Sequence, residues 1–205
     1  MTTPTPAGTG ARPPVRPLPL ELPGRTLLLV AGMPGAGKST LLAGLPPVHG
    51  VAVVDSETHR AALRRLLPAA VPYDWYRPLV HLLHRLAVVF AAVSPAPIVV
   101  AHLPATDART RTAVARLAAL TGRAAHLLWL DVDPEEARRG QRERGRMVPE
   151  PSFARHAERA TRTSALLREG PPPGWHSATV LDRAAARAGV QLQITSGAHG
   201  GARHK

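Results

Sequence analysis

The segment Gly32-Met33-Pro34-Gly35-Ala36-Gly37-Lys38-Ser39 constrains this chain more than any other, because it fits the pattern G-x-x-x-x-G-K-[ST] in full. The apolar run Thr26–Ala31 precedes it, and Lys38–Leu45, carrying Leu41 and Leu42, follows before Pro46-Pro47. That order predicts a buried strand, a tight loop and a helix. Glycines let successive backbone N–H groups turn toward one anion, and the start of the helix adds partial positive charge. Lys38 then falls where an ammonium reaches the outer phosphates of a bound nucleotide, and the Ser39 hydroxyl falls where it holds Mg²⁺. The nucleotide-binding set is therefore Gly32, Met33, Pro34, Gly35, Ala36, Gly37, Lys38, Ser39 and Thr40, with ATP and Mg²⁺ as the expected cofactors.

The charge balance agrees with an anionic ligand. Lys+Arg is 26 against Asp+Glu at 14, a formal net charge of +12. Lys38 and Lys205 are the only lysines, so arginine supplies the other 24 of those 26 basic residues. A lysine inside the loop is thus a departure from the habit of the chain. The guanine-reading motif Asn-Lys-x-Asp needs a lysine after an asparagine, and neither lysine has one, which disfavours GTP. With no cysteine, thiolate zinc sites, Fe–S clusters, disulfides and cysteine nucleophiles are excluded. No stretch reads as a membrane span, since Leu79–Val93 is interrupted by His81, His84 and Arg85. No secretory signal is visible, and a cytoplasmic protein without a membrane partner is expected.

At 205 residues the chain has room for one domain. Residues 1–24 hold seven prolines and read as a flexible Pro-rich arm, whose Leu18, Leu20 and Leu22 could dock on the domain. Residues 25–195 form the domain, and residues 196–205 read as a disordered tail. Within the domain, strands are predicted at Thr26–Ala31, Val51–Val54, Ile98–Ala101, Ala125–Leu130 and Ala178–Leu181, with a sixth at 190–194. Helices are predicted at Glu57–Leu67 behind Ser56, Arg77–Val93, Asp107–Leu120 behind Thr106, from Pro134, Phe153–Arg168 and Arg183–Ala188. Apolar strands alternating with helices imply an α/β fold, a parallel sheet covered on both faces.

A nucleotide loop does not by itself name a reaction. The second strand ends at Asp55, where a carboxylate lies beside the phosphate loop. There it can accept a proton from an attacking hydroxyl or hold Mg²⁺. Asp55 is accordingly both a catalytic and a metal candidate. The third strand ends in His102-Leu103-Pro104 and carries no Walker B aspartate; Asp131 and Asp133 read as loop carboxylates. Arg138, Arg139, Arg142, Arg144 and Arg146, with Gly140 and Gly145 among them, predict a mobile lid over about 138–150. Tyr73, Trp75 and Tyr76 read as one loop that could stack on a base or pack in the core, and the His81/His84 pair is a weak metal signature.

Taken together, Gly-Met-Pro-Gly-Ala-Gly-Lys-Ser-Thr (32–40), Val-Asp-Ser (54–56), Tyr-Arg-Pro-Leu-Val-His (76–81), Leu-Asp-Val-Asp-Pro-Glu-Glu-Ala (130–137) and Gly-Gln-Arg-Glu-Arg-Gly-Arg (140–146) resemble a known family. The chain resembles small P-loop kinase-like NTPases of the polynucleotide kinase and zeta toxin type. It looks most like actinobacterial ATP-binding proteins labelled AAA-family ATPases. The resemblance implies a P-loop three-layer sandwich with five parallel strands in the order 2-3-1-4-5. It also implies Asp55 as general base, and Arg142 and Arg146 as catalytic lid arginines beside Lys38. The expected function is Mg-ATP-dependent transfer of a phosphoryl group to a hydroxyl of an unknown acceptor, a small molecule or a nucleic-acid end. An ATPase or regulatory nucleotide-binding module is the alternative, and a nucleic-acid-binding protein the second.

Overall fold

The computed structural model describes residues 16–68, 70–103, 105–145 and 147–195. Five strands form one wholly parallel sheet: β2 (Thr26–Gly32), β3 (Val51–Val54), β4 (Ile98–His102), β5 (Ala124–Leu130) and β6 (Ser177–Leu181). They run in the order β3-β4-β2-β5-β6. Counted from Thr26–Gly32, that is the expected order 2-3-1-4-5. Every residue of β2 is buried, as are nearly all of β4 and β5. Strands buried on both sides need helices on both faces of the sheet, which is why these segments read as unbroken apolar runs.

The expected sixth strand exists, but not in that sheet. β7 (Val190–Thr195) pairs in parallel with β1 (Leu18–Pro23), at the end of the predicted arm, and the two make a separate two-stranded ribbon. Leu20 and Leu22 of β1 and Val190 and Leu192 of β7 are buried in the common core. Residues 18–23 are therefore part of the fold, and the apolar alternation of Leu18, Leu20 and Leu22 is the reason. Residues 1–15 of the arm and the tail 196–205 lie outside the described residues.

The helices are α1 (Lys38–Ala43), α2 (Ser56–Leu66), α3 (Tyr73–Val93), α4 (Ala108–Leu120), α5 (Pro134–Glu143), α6 (Glu150–Glu169) and α7 (Arg183–Ala188). Two of them start one residue away from expectation. Asp55, not Ser56, caps α2 by accepting from the Glu57 N–H, and Asp107, not Thr106, caps α4 by accepting from the Thr110 N–H. A carboxylate accepts the same hydrogen bond as a hydroxyl and adds its charge to the positive end of the helix.

The aromatic segment is also helix and not loop. α3 begins at Tyr73, with Pro78 inside it. Tyr76 is buried, Trp75 is 80% exposed, and Tyr73 meets Tyr76 edge-on. At 21 residues α3 is long and apolar enough to cross a membrane, which the interrupted run Leu79–Val93 did not convey. Its Tyr76, Val80, His84, Val88 and Ala92 are nevertheless buried, and it packs against α2, α4, β3 and β4.

Buried Arg123 ties this region together. Its guanidinium donates to the carbonyls of Ala92 (2.6 Å), Ser94 (2.7 Å) and Ala96 (2.9 Å), and to those of Pro97 and Thr26. One side chain thus fixes the exit of α3 against the starts of β2 and β4.

Candidate active site

The loop after β2 takes its shape from glycines. Gly35 (φ 90) and Gly37 (φ 96) lie in the left-handed region, which a side chain disfavours. Gly37 is the N-cap of α1, and Leu41 is the first residue whose N–H bonds back along the helix, to the Gly37 carbonyl at 2.9 Å. The first N–H groups of a helix have no partner within it, so here they face the loop free to bind an anion. Lys38 is buried, and its Nζ donates to the Gly32 (2.9 Å) and Met33 (2.8 Å) carbonyls. Burial, with Arg144 adding repulsion, brings its ammonium down to about 7. Ser39 is half-buried beside it. This donor set of main-chain N–H groups, one ammonium and one hydroxyl fits nucleotide phosphates with Mg²⁺.

The wall behind the loop is α5. A Cβ on Gly35 would lie 2.1 Å from the Ala137 carbonyl oxygen, and one on Gly140 would lie 2.6 Å from the Gly35 oxygen. Gly140 is therefore a close-approach residue inside a helix, not the loosening point expected of a lid. Buried Gln141 donates through Nε2 to the Pro34 carbonyl (3.0 Å) and accepts through Oε1 from the Val148 N–H (2.8 Å). The arginines diverge from this scaffold. Arg138 pairs with Glu150 and lies over the Phe153 ring. Arg142 is exposed and lines no cavity beside the loop, whereas Arg144 donates to Thr40 Oγ1 at 2.6 Å and lines both cavities described below. Arg146 lies outside the described residues.

On the opposite side, strand register assembles a second group. β3 and β4 run parallel with Val54 beside Ala101, so the next residue of each, Asp55 and His102, lies alongside the other. His102 donates from Nδ1 to Asp55 Oδ1 at 2.9 Å. The His102 ring holds the Asp55 carboxyl below the usual carboxylate range, and this outweighs burial, which acts the other way. His84 of α3, 2% exposed, donates from Nε2 to the His102 carbonyl at 2.7 Å, which leaves its buried Nδ1 unpaired. Burial lowers the pKa of His84, favouring the neutral ring. Asp131 accepts from Ser164 (2.7 Å) and Arg168 (2.6 Å), and Asp133 caps α5. Both are thus structural carboxylates, as their loop positions implied. Among the described residues no group of three metal-ligating side chains forms.

Two cavities flank the phosphate loop. One of about 380 Å³ lies between the loop, Arg144 and α7. The other, about 240 Å³, is walled by Lys38, Ser39, Ser56, His81, His84 and His102. Sequence reasoning singled out the loop, which lines this smaller cavity, and Asp55, which meets it only through its partner His102. It missed the clamp from α5 and the close pairing of Asp55 with His102. The available signals were Gly140 within a helical stretch, and two polar residues ending adjacent strands.

Fold and site together define a P-loop, kinase-like nucleotide protein. A family model described as an AAA domain matches residues 27–166, more than half of the chain, and the chain belongs to that family. Among solved structures, a candidate kinase from Chloroflexus aurantiacus aligns with a TM-score of 0.54 at 15% identity, covering 78% of this chain and 88% of that one. The PezAT toxin–antitoxin structure from Streptococcus pneumoniae gives 0.51 at 15%, covering 86% and 72%. A gluconokinase from Sinorhizobium meliloti gives 0.50 at 16%, covering 80% and 89%. These likenesses establish the fold. Comparison with curated protein sequences finds no match.

Proposed function

We propose that the protein is a Mg-ATP-dependent phosphotransferase acting on a hydroxyl group. The observation that carries this reading is the single cavity walled by both the phosphate-loop residues Lys38 and Ser39 and the Asp55-bound His102. The loop N–H groups would hold the triphosphate of ATP, and the cavity on the α7 side has room for its base. Lys38 would leave its carbonyl partners to meet the phosphates, and Ser39 would hold Mg²⁺. ATP would supply the phosphoryl group, and Mg²⁺ would supply neutralisation of its phosphate charge.

The sequence pointed to Asp55 as the base. Its Oδ1 accepts from His102 and the Glu57 N–H, so Asp55 acts here by orienting and charging the His102 ring. Because Nδ1 of His102 is the donor to Asp55, Nε2 of the neutral ring carries the lone pair that takes the hydroxyl proton. Arg144, which reaches Thr40 and lines both cavities, would add positive charge over the transferring group.

Radiolabelled ATP tests this against a panel of hydroxyl acceptors. Phosphoryl transfer to any of them is the expected result, and release of free phosphate alone assigns the protein as an ATPase. Lys38→Ala should weaken ATP binding by roughly ten- to a hundredfold, because a charge-assisted contact contributes about 1.5–3 kcal/mol. Calorimetry giving equal affinities for the two proteins overturns the site.

A further inference from the structure

A third cavity, about 550 Å³, lies between α3 and α4. It shares His81 and His84 with the cavity at the phosphate loop, so the two adjoin through these side chains. Its wall is otherwise mostly apolar, with Val88, Leu103 and Val114 buried and Val89, Ala113 and Leu117 beside them.

The polar side chains on that wall are largely spent on protein partners. Asp107 accepts from the Thr110 N–H through Oδ1 (2.8 Å) and from the Thr110 hydroxyl through Oδ2 (2.9 Å). His81 Nε2 accepts from Arg77 Nε at 3.4 Å, and His84 Nε2 donates to the His102 carbonyl. What remains among the described residues is the guanidinium groups of Arg85 and Arg109, which only donate, the unpaired acceptor His84 Nδ1, and the spare lone pairs of the adjacent Asp107 and Thr110 side chains at one end of the wall. A sugar, nucleoside or nucleic-acid end brings several hydroxyl donors. Here most of them would lose water along the aliphatic wall, because the few acceptors are confined to His84 and the Asp107–Thr110 corner.

We propose that this cavity is the acceptor site, and that the acceptor is a small, mainly apolar hydroxy compound bearing carbonyl or carboxylate oxygens. The proposal rests on the phosphotransferase reading for the transfer step only. The apolar body lies against Val88, Val89, Leu103, Val114 and Leu117. Its acceptor oxygens meet Arg85 and Arg109, and its hydroxyl points past His81 and His84 toward His102. The hydroxyl oxygen forms a bond to the γ-phosphorus as the bond from that phosphorus to the bridging oxygen breaks. ADP leaves with that electron pair, and the hydroxyl proton passes to His102 Nε2 and then to solvent. The products are a phosphate monoester and ADP.

The test uses the full chain and a hydroxymethyl-naphthoate, an intrinsically fluorescent apolar alcohol with one carboxylate. Gluconate, adenosine and an oligonucleotide with a free terminal hydroxyl serve as polar competitors. The naphthoate should bind without ATP and become labelled from radiolabelled ATP, whereas the polar compounds should not. Ala113 is exposed, so Ala113→Phe extends into the cavity without overpacking the core; it should weaken naphthoate binding at least tenfold with the melting temperature retained. Val89→Phe fills the cavity from the opposite wall and serves if the first variant unfolds. Absence of naphthoate binding, or binding indifferent to both variants, overturns the assignment. Label on a polar compound instead of the naphthoate overturns the acceptor class and leaves phosphoryl transfer standing. Binding that responds to the variants without any labelling supports the cavity assignment and removes the transfer reading.

Discussion

The two sides of the phosphate loop are built in different ways. On the α5 side the parts are glycines and one glutamine, and the constraint is backbone against backbone: Gly35 under Ala137, Gly140 under Gly35, and Gln141 bonded to Pro34 and Val148. On the β3–β4 side the parts are titratable side chains, Asp55, His102 and His84, placed by strand register and by a helix that crosses behind them. The first side is a rigid mould for a ligand that always has the same shape. The second side has groups able to receive a proton, as the proposed transfer to a hydroxyl requires. Binding and chemistry are therefore separable by mutation.

The largest expected effect lies on the chemical side. Asp55→Asn keeps the cap on α2 but removes the charge that stabilises a protonated His102. His102→Gln removes the proton acceptor itself. Each should lower transfer to the acceptor by roughly 10²- to 10⁴-fold, the range of a positioned acid–base group. ATP affinity should change little in either variant. Magnesium-dependent loss of ATP binding in Asp55→Asn, with His102→Gln unaffected, would instead make Asp55 a metal-holding residue and dissolve the separation.

On the mould side, Gly35→Ala should lower stability by about 3 kcal/mol, combining left-handed strain with a methyl group driven into the Ala137 carbonyl. Thermal unfolding reads the loss, and ATP binding should fail along with it. Gln141→Leu is gentler. It leaves the Pro34 carbonyl and the Val148 N–H without their partner, at a cost of about 1–3 kcal/mol. If that variant lost transfer yet kept its stability and its ATP affinity, α5 would belong to the chemistry and the contrast would fall.

The same contrast marks what the sequence discloses. The phosphate loop is contiguous, so its glycines, Lys38 and Ser39 are legible as one pattern. The strand order follows from five apolar runs once the resemblance is granted. Asp55 and His102 are 47 positions apart, and no periodicity in the chain announces that parallel register will pair them. Gly140 looks like a flexible point in an arginine cluster, because the backbone it must admit, Gly35, belongs to a distant loop. Pro78 hides the first turn of α3, since proline ordinarily interrupts a helix and here sits one turn inside its start. β7 is visible as an apolar alternation, but its partner β1 lies at the other end of the chain.

The smallest expected effect joins the two sides, because Lys38 belongs to the mould yet titrates. Its ammonium in the free protein is held near 7, against an ordinary lysine value of 10.5, with burial the main cause. The unfolded chain binds the extra proton between these two values. Lys38 therefore costs the fold stability at neutral pH, and that cost fades as pH rises from about 7 toward 10.5. Phosphate has the opposite preference, since it favours the charged ammonium and raises the pKa again. At pH 8, where Lys38 is largely neutral in the free protein, ATP binding should draw up a fraction of a proton, and affinity should fall by at most about tenfold per pH unit. Calorimetry in buffers of different ionisation enthalpy measures that uptake directly. Lys38→Arg keeps a charge that does not titrate and should bind ATP without the uptake. Equal proton uptake in both proteins would move the titrating group away from the loop, to the histidines of the other side.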